Sequence, residues 1–122
     1  MATLTPTLTL TSDAASASTD ALSLSVNDSL TIGPTIIGPA RSAILHTGPT
    51  NIRTSSDATV THIYLKNMDA TNVVNVKTDA GVTFSTLGPG EFAFFPLTGS
   101  TGCEMQANAA TCIVEYALWT KA

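Results

Sequence analysis

Two histidines, two cysteines and a scatter of turn acids are the side chains that could do polar chemistry in this 122-residue chain. A general base needs a partner within hydrogen-bond reach, and a metal needs three or four ligands. His46 and His62 stand apart, with no HxH, HxxxH or HExxH spacing around them. His62 alternates with Val60 and Tyr64, so it reads as a half-buried histidine on a strand face. Cys103 and Cys112 flank Ala107-Asn108. If a hairpin turn centres there, the two thiols face each other across the strands within disulfide range. The alternative is a reduced pair of small apolar side chains, which the lack of a signal peptide favours. Zinc would need two further ligands, and Glu104 alone does not supply them. A cysteine nucleophile would need a histidine base brought to it by the fold.

The remaining candidates have plain structural readings. Asp69, Asn72 and Asp79 offer the oxygens calcium uses, but without DxDxDG spacing. Asp and Asn are also ordinary turn residues, because their side chains bond the local backbone. Gly88-Pro89-Gly90 lacks the GK[ST] and the helix of a phosphate cradle. Asn27-Asp28-Ser29 fits a glycosylation acceptor, which matters only in a secreted chain. Phe92, Phe94 and Phe95 could form a sugar platform, but they read better as the filling of a sheet interior. Glu91, Glu104 and Glu115 are thin material for acid–base work. The expectation is a non-enzymatic protein without cofactor or metal.

The elements that position these residues are strands. Short apolar runs alternate with turn chemistry at Asn67-Met68-Asp69, Asp79-Ala80-Gly81 and Gly88-Pro89-Gly90, which reads as antiparallel hairpins. Strands are expected near residues 60–66, 73–78, 82–87, 91–97, 102–106 and 111–120. No window has helical periodicity. The fold class is all-β: an antiparallel β-sandwich or jelly-roll-like small barrel with an extended N-terminal arm. Phe92, Phe94, Tyr116 and Trp119 are the expected core anchors.

Two zones precede that body. In the first, Leu4, Leu8 and Leu10 alternate with threonines, and Leu22, Leu24 and Val26 resume the period of two. A small, polar stretch over residues 12–20 reads as a flexible linker between the two ribbons. Pro6 cannot donate to a ladder, so the first ribbon belongs at an edge. Residues 1–33 are thus an arm or edge hairpin, and 34–122 the body. In the second zone Gly33-Pro34, Gly38-Pro39 and Gly48-Pro49 interrupt the pattern, leaving one strand around Ala43, Ile44 and Leu45.

Composition bounds the partners. Only 11% of residues are charged, against about 25% in ordinary soluble proteins. Thr and Ser make about a quarter of the chain. A surface so poor in charge favours association with other protein. The net charge is −4, and Arg41, Arg53, Lys66, Lys77 and Lys121 are spread out. Neither a nucleic-acid footprint nor a membrane-surface patch is present. No apolar run is long enough to span a bilayer, and the N-terminus lacks a basic n-region. The chain is expected to work where it is made or to leave inside an assembled particle.

The phrases LKN-D-TN-V-V and GVTF-LGPGEFAFFPL, within residues 63–97, resemble small β-rich proteins encoded among the structural genes of tailed bacteriophages. LSLSVNDSLTI is similar to the opening of short virion proteins from marine and freshwater phages. The likeness covers about half to two-thirds of the chain and rests on strand-and-turn phrases. It implies a virion component, first a capsid cement (decoration) protein seated on the capsid surface over junctions of the major capsid protein. Such proteins are sandwiches or jelly rolls, often trimeric, assembled in the host cytoplasm and without catalytic residues. On this reading the major capsid protein and further copies of the chain, as a trimer, are the partners. The low-charge ribbons would bind by strand addition through Leu4, Leu8, Leu10, Leu22, Leu24 and Val26. The competing expectations are a tail, adaptor or fibre-base component, a carbohydrate-binding adhesion module, and a small jelly-roll hydrolase.

Overall fold

The period-two pattern decides which side of a strand is buried, and burial alternates with it along His62–Asn67 and Cys103–Ala107. A computed structural model describes residues 2–12, 23–57 and 59–122. The N-terminal strands are β1 (Ala2–Leu4), β2 (Thr7–Thr11), β3 (Ser23–Asn27) and β4 (Leu30–Ile44). Then come β5 (Thr50–Arg53), β6 (His62–Asn67), β7 (Val74–Thr78) and β8 (Thr83–Leu87). The last are β9 (Phe92–Pro96), β10 (Cys103–Ala107) and β11 (Cys112–Lys121). The fold is an all-β sandwich of antiparallel sheets. One sheet has five strands in the order β1-β4-β11-β6-β9, and the other has four in the order β5-β10-β7-β8. β2 and β3 form a separate two-stranded ribbon, the arm.

The core lies between the two sheets. Ile63 and Leu65 of β6, with Val114 and Leu118 of β11, point inward to meet Val74, Val76 and Met105 of the facing sheet. Burying each such side chain contributes roughly 1.5–3 kcal/mol, so this cluster dominates the fold. Phe95 and Tyr116 pack against its margin. Phe84 meets Phe95 edge-on at 5.8 Å, closing the seam between edge strands β8 and β9.

Three expectations are corrected here. Only Asp79-Ala80-Gly81 joins paired strands, β7 and β8. The corners after β6 and after β8 carry the chain from one sheet to the other. Turn residues look alike in both cases, because each corner reverses the chain whichever sheet receives it. Second, β4 is one long strand that runs through Gly33-Pro34 and Gly38-Pro39. Beyond residue 32 no strand among the described residues pairs with its outer edge, so a missing proline amide is tolerated there. Its pairing with β11 shifts register opposite Ala117, beside Gly38. Gly38 has φ +96°, and a Cβ on it would lie 2.5 Å from the Tyr116 carbonyl oxygen. Glycine is needed there. The expected division at 33/34 therefore falls inside β4, and β1 belongs to the body's sheet.

Third, Phe92 and Phe94 are not core anchors. Phe92 is 62% exposed and Phe94 39%. Phe92 pairs with Lys66 and Phe94 with Tyr64, which puts both on the outer face of the five-stranded sheet. Ala93 and Phe95 take the inward positions. Trp119 stands on that outer face too, opposite His62, so Tyr116 alone of the four packs against the core.

Candidate interaction site

Pro6 marks where the chain leaves the body. It has no amide to extend the β1 ladder, so β2 departs and pairs with β3 instead. The Asp28 amide donates to the Pro6 carbonyl at 3.1 Å, pinning the base of the arm. The Asp28 carboxylate takes the Ser29 amide at 2.7 Å and sets the break before β4.

Register gives the arm two unlike faces. Leu8 faces Val26 and Leu10 faces Leu24, while Thr7, Thr9 and Thr11 face Asn27, Ser25 and Ser23. The four aliphatic side chains are 41–51% exposed. A two-stranded ribbon is marginal without a packing partner on its apolar face. Leu4 lies in β1, opposite Leu30. Leu22 lies outside the described residues, as does most of the expected linker.

That apolar face looks across a gap of about 710 Å³ toward the outer face of the five-stranded sheet. The arm side is walled by Leu4, Pro6, Leu8 and Val26. The floor is Phe92, Phe94, Pro96, Tyr64, His62 and Trp119. The His62 ring stacks on Phe94 with centroids 6.0 Å apart, and Trp119 meets Phe94 edge-on at 6.0 Å. Of the lining side chains only Asp28 has a formal charge at neutral pH. Burial, reinforced by Lys121, holds His62 below the usual histidine range, against the pull of Asp28. It is therefore neutral, with Nδ1 sharing a 3.1 Å hydrogen bond with Thr61 Oγ1. Beside the floor, Tyr64 Oη donates to Glu115 at 3.2 Å, and Arg41 lies 3.7 Å from the same carboxylate. Burial and then Glu115 push the Tyr64 hydroxyl pKa up.

The other candidates are dispersed. His46 lies in the link after β4, whose end pairs with Cys112, while His62 pairs with Trp119. Seven residues of β11 separate those positions, about 23 Å of strand. Cys103 and Cys112 are free, buried thiols. They do not face each other: β10 pairs with β5 and β7, β11 with β4 and β6, and the link between them crosses sheets. Asp69 accepts the Thr71 and Asn72 amides at 2.8 and 2.6 Å, closing the corner after β6. Glu91 accepts the Gly88 amide at 2.5 Å. Among the described residues no group of three or more His, Cys, Asp or Glu could hold a metal ion.

Two buried polar residues escaped sequence reasoning. Arg53 is 1% exposed and donates to the carbonyls of Asp57, Thr98 and Thr101, tying the link after β5 to the link between β9 and β10. Asn67 does the same for the sheet-switching corners. Nothing in their local sequence marks them, since their partners are main-chain carbonyls. The floor was equally hidden, because in FAFFP either alternate set of side chains could face inward. The assignment of Lys66 to the outer face resolves it, through its pairing with Phe92. No family model, curated protein or solved structure matches this chain.

Proposed function

We propose that this chain is a non-enzymatic virion structural protein, a capsid cement (decoration) protein that binds over junctions of the major capsid protein as a trimer. The observation that carries the reading is the arm: a ribbon paired apart from the two sheets of the sandwich, with four aliphatic side chains 41–51% exposed among the described residues. Large contiguous exposed apolar patches mark interaction surfaces. A low-charge body adds to this, since it lacks the repulsion that keeps monomers apart. Cement chemistry asks for this division: a rigid unit, and an extended element that engages a neighbour. Co-sedimentation with purified phage heads tests it. The expected result is saturable binding at a fixed copy number per major capsid protein. Absence of binding to any head or tail assembly sinks the reading.

One observation favours a second reading. Phe92, Phe94 and Trp119 share an exposed face, as a carbohydrate-binding adhesion module requires. Glycan-array binding that is lost on replacing Phe92 and Phe94 would select it.

A further inference from the structure

We infer that the gap between the arm and the five-stranded sheet is a receptor for an extended apolar segment of a partner protein, ending in one basic residue, which would lie between the two as a middle layer. The argument starts from the walls. Leu8 and Val26 present an apolar face from one side, and Phe94 and Trp119 an aromatic face from the other. An occupant must therefore be apolar on both of its own faces. Strands buried on both faces carry near-continuous hydrophobic runs, unlike the alternating strands of one-sided sheets.

Size and charge narrow the occupant. The gap of about 710 Å³ is within the range of roughly 300–1,000 Å³ typical of built ligand sites. Asp28 is the one formally charged lining group, with Asn27 beside it at the arm's base. A complementary segment has an uncharged apolar run and one basic residue at the end that reaches Asp28. An acid beside Asp28 would be repelled, and one pressed onto the aromatic floor would lose water without gaining a partner.

The described residues of a second copy do not supply such a segment. Among the described residues its consecutive bulky apolar runs, Ile36-Ile37, Ala43-Ile44-Leu45, Val73-Val74, Phe92 to Pro96, Ile113-Val114 and Tyr116 to Trp119, lie in or directly beside strands already paired within the body. Its arm strands β2 and β3 are paired with each other and alternate with Thr and Ser. The occupant comes from a different protein. The proposed function supplies the major capsid protein as its source, and the inference rests on that reading only for this point.

The single tryptophan of the chain, Trp119, lines the gap, so the protein reports its own occupancy. The full chain is titrated with a capped heptapeptide, KTIVVIT, and with VTITVKI, which has the same composition but alternates. The first peptide is expected to shift Trp119 emission to the blue with saturation, at least tenfold tighter than the second. Leu8→Asp on the arm wall and Phe94→Asp on the floor should each weaken it tenfold or more. Asp28→Asn should weaken it severalfold, and should leave unchanged the binding of a peptide with Thr in place of Lys. Equal binding of both peptides, or no saturable shift, overturns the inference. So does a blue shift that follows protein concentration together with a dimer mass in sedimentation velocity. If both peptides behave as expected but the chain ignores phage heads, only the proposed function fails. If Leu8→Asp and Phe94→Asp proteins still bind heads at full occupancy, only the inference fails.

Discussion

Asn67, at the end of β6, donates its side-chain amide to the Gly88 carbonyl at 3.1 Å, in the corner between β8 and β9. The same nitrogen reaches the carbonyls of Leu87 at 3.1 Å and Asn72 at 2.9 Å, and its Oδ1 accepts the Asp69 amide at 3.0 Å. One fully buried amide therefore satisfies both corners at which the chain changes sheets. A leucine there has similar volume but leaves these main-chain groups unpaired. Each buried unpaired group costs about 1–3 kcal/mol, so Asn67→Leu should destabilise by about 3 kcal/mol. Urea unfolding measures this, and a loss under about 1 kcal/mol would mean that water or a shifted corner replaces the amide.

Much of the body was legible, because strand alternation and Gly/Pro/Asp turns are local signals. The six expected strands of the C-terminal half lie within two residues of β6 to β11. What was not legible is long-range. Whether a corner pairs its two strands or switches sheets depends on what packs beneath them. Whether Phe94 or Phe95 faces inward depends on register with β6. The arm's alternation was visible, but its apolar face turning toward an aromatic floor joins positions far apart in sequence. Arg53 and Asn67 were invisible for the reason already apparent in their partners: a carbonyl exists at every residue.

The thiols give a direct check of the sheet-crossing link. Burial pushes Cys103 up to about 11, against a small opposing pull from Arg53. Burial and the neighbouring Asp69 raise Cys112. Thiolates are the reactive species, so at pH 8 both should resist a colourimetric disulfide reagent in the native protein. Both should then react at once in denaturant. Oxidant should also fail to form an intramolecular bridge without unfolding, as read by intact mass. Rapid native modification, or a bridge formed in the folded state, would restore the hairpin arrangement.

Asp69 sets part of the acid limit of stability. The Asn72 and Thr71 amides hold its carboxyl below the usual carboxylate range. A depressed folded-state value means the ionised form is favoured by folding, so its stabilisation is present above the unfolded value near pH 4. It is lost as pH falls through the folded value. Asp69→Asn keeps an acceptor for the amides but cannot titrate. Urea midpoints compared at pH 6 and pH 3 should therefore fall less steeply for Asp69→Asn than for the parent. Parallel pH dependence would show that the corner does not sense the charge.

Leu10 and Leu24 face each other at the outer half of the arm, beyond the side chains that line the gap. Their exposure implies that the folded body gains little from them. Replacing both with threonine keeps strand propensity and a compatible cross-strand pair while removing the apolar surface. Global stability should then change by no more than about 0.5 kcal/mol, as for other surface sites. Binding of an apolar dye should fall, and so should co-sedimentation with phage heads, by tenfold or more. Those two readouts separate the roles of the quartet. A large loss of stability would mean that the chain itself covers these leucines in solution. Unchanged head binding at normal stability would move the contact surface off the outer half of the arm, either to the gap lined by Leu8 and Val26 or onto the sandwich, where the exposed aliphatics of β4, Ile36 and Ile37, are the next apolar ground.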